Sequence, residues 1–143
     1  MDYNDIAVNW EAMQKYTPAP RHRRRLIINL MQAISFNSVL DIGCGKGLML
    51  NQIAKKYGAS LTGCDISEKA IKENQINFPE INFYQLDISK ESLPGKFDIV
   101  ICSEVIEHLV EYKKSIKHLS NMTEKYLIIT VPSCPLFNSD KNL

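Results

Sequence analysis

An acidic residue two places ahead of three evenly spaced glycines is the feature of this sequence best suited to hold a ligand. It is Asp41 in the stretch VLDIGCGKG, residues 39–47, followed by Gly43, Gly45 and Gly47 with Cys44 between the first two. Glycines so spaced let backbone come close to a bound group, and a carboxylate beside them favours a cationic group over a phosphate. Further along come Asp65, Asp87 and the run Ser103-Glu104-Val-Ile-Glu107-His108. These side chains can accept hydrogen bonds from sugar hydroxyls and ring amines, or carry a proton.

Such groups act together only if the fold brings them to one place. Apolar residues Ile6, Trp10 and Met13 recur at helical spacing, Thr17-Pro18-Ala19-Pro20 interrupts, and Ile27, Leu30, Met31 and Ile34 resume the helical pattern. Strands are expected at about 38–42, 60–64, 81–86, 97–102 and 126–131. Helices are expected at about 46–57, ended by Gly58, at about 68–77 with Ser67 as N-cap, and at about 111–122 carrying Ile116 and Leu119. The alternation predicts an α/β fold, an open sheet of about five parallel strands flanked by helices. Residues 1–37 read as an N-terminal helical segment and 38–143 as the ligand-binding domain. In such sheets ligands sit at the carboxyl ends of the strands, where Asp41, Asp65, Asp87 and Ser103-Glu104 fall.

The 143 residues fit one domain, and a net charge of +1 supplies no basic field for nucleic acid. No apolar run approaches the roughly 20 residues of a membrane span. Four cysteines, Cys44, Cys64, Cys102 and Cys134, lie far apart without a C-x-x-C pair, as expected of reduced thiols in a cytoplasmic protein. Arg21, Arg23, Arg24 and Arg25 form one basic cluster, read as a solvated first helical turn.

The loop narrows the choice of ligand. Position 48 is Leu where a dinucleotide loop wants a third glycine, and Lys46 is followed by Gly47 where a P-loop wants Ser or Thr. NAD and ATP therefore fit poorly. S-adenosylmethionine carries an ammonium to suit Asp41, ribose hydroxyls to suit Asp65 and an adenine amine to suit Asp87, with Ile66 and Ile88 as apolar walls for the ring.

Five ordered stretches, VLDIGCGKG, LTGCDIS, YQLDIS, FDIVICSEVIEHL and YLIITVP, together resemble the motifs of class I S-adenosylmethionine-dependent methyltransferases. The resemblance spans roughly residues 38–132. It implies a Rossmann-like fold, S-adenosylmethionine as cofactor and S-adenosylhomocysteine as product. It also implies cofactor contacts from Asp41, Gly43, Cys44, Gly45, Gly47, Asp65, Ile66, Asp87, Ile88 and Ser103. Glu104 and His108 then border the methyl-transfer site as candidate catalytic residues. Glu104, Glu107 and His108 are also similar to the Glu-x-x-Glu-His metal set of small-RNA 2′-O-methyltransferases. That set needs a further histidine downstream, so the expectation is no metal and a small-molecule, lipid or glycan-precursor acceptor, as in ubiquinone-pathway O-methyltransferases. RNA methylation, or cofactor binding without turnover, are the alternatives. The family's sheet has seven strands, so the last strands are expected to be missing, leaving the edge of the fifth open to self-association.

Overall fold

Two faces of one parallel sheet, each covered differently, organise the molecule. The computed structural model describes residues 18–132, so Ile6, Trp10, Met13 and Cys134 lie outside the described residues. Helix α1 (Pro18–Met31) is followed by β1 (Ser38–Ile42), α2 (Leu48–Ala54), β2 (Ser60–Asp65), α3 (Glu68–Asn77) and β3 (Asn82–Gln85). Then come β4 (Phe97–Ser103), a 3-10 turn (Ile106–His108), α4 (Tyr112–Met122) and β5 (Thr123–Thr130). The strand order is β3-β2-β1-β4-β5 and all four pairings are parallel. The order reverses between β1 and β4, which opens a crevice at their carboxyl ends.

Alternation along the strands feeds two cores. Val39, Leu61, Phe83, Ile99 and Ile101 face one way, against Ile27 and Met31 of α1, Met49, Leu50 and Ile53 of α2, and Ile71 of α3. Leu40, Ile42, Cys64, Val100 and Cys102 face the other, against Leu119 and Met122 of α4. Gly63 lets α2 pack closely on β2, since a Cβ there would stand 2.8 Å from Leu50 and 2.7 Å from the ring of Phe83, its partner on β3.

The elements differ from expectation in places that have physical causes. Pro18, Ala19 and Pro20, read as an interruption, form the first turn of α1 itself, because proline loses nothing in a first turn whose N–H groups lack intrahelical partners. Leu30 is 61% exposed, and Ile28 takes its place in the core. In α4 the buried face is Ser115, Leu119 and Met122, leaving Ile116 outside. Ser67 does cap α3, accepting from the Ala70 N–H at 3.2 Å. Strand β5 begins at Thr123, earlier than its apolar run, because Thr123 pairs with Phe97 ahead of a register shift.

At the amino ends of the strands, remote from the crevice, one residue joins three of them through its side chain and its main chain. Asp98 of β4 accepts the Asn37 N–H at 2.6 Å and pairs with Lys125 of β5 at 3.1 Å, while its own N–H donates to the Ser38 hydroxyl at 2.9 Å.

Candidate cofactor site

The glycine loop is held by β2. The N–H groups of Gly43 and Cys44 both donate to the Cys64 carbonyl, at 2.8 and 2.9 Å, and the Gly45 N–H donates to Asp65 Oδ2 at 2.9 Å. The other Asp65 oxygen accepts the Ser67 N–H at 2.9 Å, so this carboxylate orders both the loop and the entry to α3. Gly43, with φ 75°, leaves no room for a side chain, since a Cβ would overlap Val105 Cγ2 from the segment after β4. Gly45, with φ 50°, has open space where its Cβ would be, and this is where a ligand can approach the backbone.

A cleft lies at the switch point. Pro20, Arg23 and Arg24 of α1 form one wall, Asp41, Gly43 and Cys44 the floor, and Leu48, Met49, Ser103 and Glu104 the remainder. Asp41 is only 4% exposed, and burial, with the Asp65 carboxylate nearby, pushes its carboxyl up to about 7. Arg24 faces the same cleft with its Nε buried and without a hydrogen-bond partner. Burial, then Arg21 and Arg23, hold its guanidinium below the ordinary value. Arg23 and Arg24 are thus wall residues of the cleft, and only Arg21 and Arg25 behave as the solvated turn read from sequence. For Arg23 a signal was present, since it stands four residues ahead of Ile27 on the expected apolar face; Arg24 stands four ahead of Ile28, whose burial the fold alone reveals.

The remaining expected residues divide. Ser103 shares a 2.7 Å hydrogen bond with the Thr130 hydroxyl. Asp87 accepts the Ser89 hydroxyl at 2.6 Å and N–H at 3.0 Å on Oδ1 and pairs with Lys90 through Oδ2 at 3.1 Å; these contacts, the hydroxyl first, lower its pKa. Ile66 is 63% exposed and offers an apolar face, whereas Ile88, at 4%, is part of the α4-side core. The Cys44, Cys64 and Cys102 thiols are buried and unpaired; burial pushes the last two up to about 12, so they act as small apolar groups.

Glu104, Glu107 and His108 do not share one helical face. Glu104 has φ 59°, in the left-handed region, and the 3-10 turn begins only at Ile106. Its N–H donates to the Thr130 carbonyl at 2.9 Å, and its Oε1 pairs with Arg23 Nε at 3.3 Å. Glu107 and His108 approach each other at 3.9 Å, outside the lining of the cleft. Among the described residues no three His, Cys, Asp or Glu side chains converge as metal ligands.

The doubly wound sheet, the glycine loop and the switch-point cleft define a Rossmann-like nucleotide-binding fold. The chain belongs to the class I S-adenosylmethionine-dependent methyltransferases: the family model described as a methyltransferase domain matches residues 39–125. The ubiquinone biosynthesis O-methyltransferase of Albidiferax ferrireducens is 37% identical over 117 residues, 75% of this chain and 46% of that protein. Magnesium protoporphyrin IX methyltransferase of Synechocystis PCC 6803, crystallised with bound SAH, is 29% identical with a TM-score of 0.70, over 80% of this chain and 57% of that one. A methyltransferase from Clostridium acetobutylicum shares the fold at a TM-score of 0.75 and 21% identity, over 92% of this chain and 58% of that one. The chain spans about half the length of the curated relatives it matches, or less. No helix among the described residues is long and apolar enough to cross a membrane.

Proposed function

We propose that this chain binds S-adenosylmethionine and transfers its methyl group to a small-molecule acceptor. One observation carries the reading: a buried carboxylate, Asp41, and a buried guanidinium nitrogen without a partner, on Arg24, line one cleft beside the glycine loop. That pair suits the ammonium and carboxylate of an amino acid, and Asp65, one strand over, suits the ribose attached to it. The cofactor supplies an activated methyl group on a sulfonium. Asp41 and Arg24 hold its amino-acid end, Asp65 accepts ribose hydroxyls on lone pairs not used by Gly45 and Ser67, and Ile66 covers one ring face. Asp87 keeps a similar capacity toward the adenine amine. The segment Glu104–His108 borders the acceptor side, where alignment of the nucleophile does most of the work and His108 can take up a proton.

The ubiquinone O-methyltransferase relatives support an acceptor of small-molecule type. Unpaired buried cysteines support a reducing compartment, the cytoplasm. The outer edge of β5, which no other described strand pairs, is a surface for self-association, to be read from sedimentation. Calorimetry with S-adenosylhomocysteine, NAD and ATP tests the cofactor, and labelled methyl transfer into small-molecule and RNA fractions tests the acceptor. Binding of NAD in preference to S-adenosylhomocysteine would overturn the reading.

A further inference from the structure

Helix α3 buries Ile71 and, three residues on, a carboxamide: Asn74 is 1% exposed. An amide withdrawn from water is costly if its hydrogen bonds go unmade, so an apolar residue would suit this position better if packing were its only task. The side chain reaches across to the glycine loop. Its Nδ2 donates to the Gly45 carbonyl at 2.7 Å and makes a long contact with Cys44 Sγ at 3.9 Å. Its Oδ1 stands 3.4 Å from where a Gly47 Cβ would be.

Gly45 is therefore gripped from both sides, its N–H by Asp65 of β2 and its carbonyl by Asn74 of α3. Glycine adopts either sign of φ with little cost, so a loop of three glycines has no preference of its own for the observed path. The peptide before Gly45 is fixed at both ends, its N–H by Asp65 and its Cys44 carbonyl by the Gly47 N–H at 2.9 Å. The peptide after it, which carries the Gly45 carbonyl, takes its orientation from Asn74. Released, that carbonyl can rotate toward the cleft and present an acceptor where ligand atoms must approach. Ordering it in advance spares the ligand that cost on binding.

We propose that Asn74 is a positioning residue of the cofactor site, holding the glycine loop in its binding form before any ligand arrives. The affinity half rests on the S-adenosylmethionine reading; the loop-ordering half does not. The test compares the full chain with Asn74→Leu, which keeps the branching but removes the amide, and Asn74→Ser, which shortens the side chain. Amide hydrogen exchange is measured without ligand, and S-adenosylhomocysteine affinity by calorimetry. Expected are exchange at residues 44–47 faster by about tenfold with β1 unchanged, and a dissociation constant raised about tenfold, in a variant that melts as the wild type does. Wild-type exchange in the loop of a folded variant overturns the proposal, as does unaltered affinity, and failure of both variants to fold assigns Asn74 to stability alone. If the wild type itself does not bind the probe, the cofactor reading falls, and the loop exchange rates still decide for or against Asn74.

Discussion

At the scale of single residues, opposite charges in one cleft set the expectations. Arg24→Leu should weaken S-adenosylhomocysteine binding by about 1.5–3 kcal/mol, the worth of a hydrogen bond to a charged group, without lowering thermal stability, since its Nε satisfies no partner in the free protein. Calorimetry and a melting curve check both halves. Asp65→Ala should cost about as much affinity and should loosen the loop too, because Gly45 and Ser67 both depend on it. For Asp41 the sign follows from burial. The native carboxyl stays protonated between 3.8 and about 7 while the unfolded one ionises, so stability is greatest at the acid end and falls as pH rises through that window. Binding of an ammonium group runs the opposite way, improving as Asp41 ionises. Asp41→Asn should flatten both trends, measured by denaturation and by calorimetry across the window. Asp41, the glycines and Asp65 were legible in the sequence because a strand end, a turn and a helix start fix them locally. Arg24 was not, because a run of arginines reads as solvent-facing until the fold supplies the second wall. Asn74 was hidden for the same reason: nothing local marks a helix position as facing a loop.

At the scale of elements, the segment after β4 and the loop after β1 form one packed unit. Gly43→Ala should destabilise the fold by about 1–3 kcal/mol, because a Cβ meets Val105 and the φ of 75° is unfavourable with a side chain. Gly45→Ala meets nothing and should cost less, so the two denaturation midpoints should differ in that order. The strands were readable because short apolar runs such as those of β1 and β4 suit a strand buried on both faces, and α3 because Ser67 announces it. Less could be read where backbone departs from repeating geometry. The Glu-x-x-Glu-His spacing implies one helical turn, yet Glu104 adopts left-handed φ and turns to Arg23, a pairing between residues far apart in sequence. Similarly, β5 extends back to Thr123 because of its partner strand, and its own polar start, Thr123-Glu124-Lys125, gives no sign of it.

At the scale of the whole molecule, the cleft is assembled from α1, β1, α2 and β4, so a ligand there ties together parts separated by most of the described chain. At a hundredfold excess over its dissociation constant, S-adenosylhomocysteine should stabilise the folded state by about 2.7 kcal/mol and raise the melting temperature by several degrees, whereas NAD should do neither.

The sheet is also pinned unevenly. Asp98 fastens β1, β4 and β5 where they begin, and among the described residues no comparable side-chain clasp joins β1 to β4 where they end in Ile42 and Cys102 at the crevice. The strands β1 and β4 are thus mounted like two ribs of a fan, fixed at the rivet and free to part at the rim, while β5 stays tied to β4 there by the Ser103–Thr130 hydrogen bond and the loop after β1 stays tied to β2. Spreading of that kind widens the mouth without shearing the register. It predicts a gradient of amide exchange along the β1–β4 pair, slowest beside Val39 and Ile99 and fastest beside Ile42 and Cys102. Asp98→Ala should level it, so that thermal motion no longer has a preferred end.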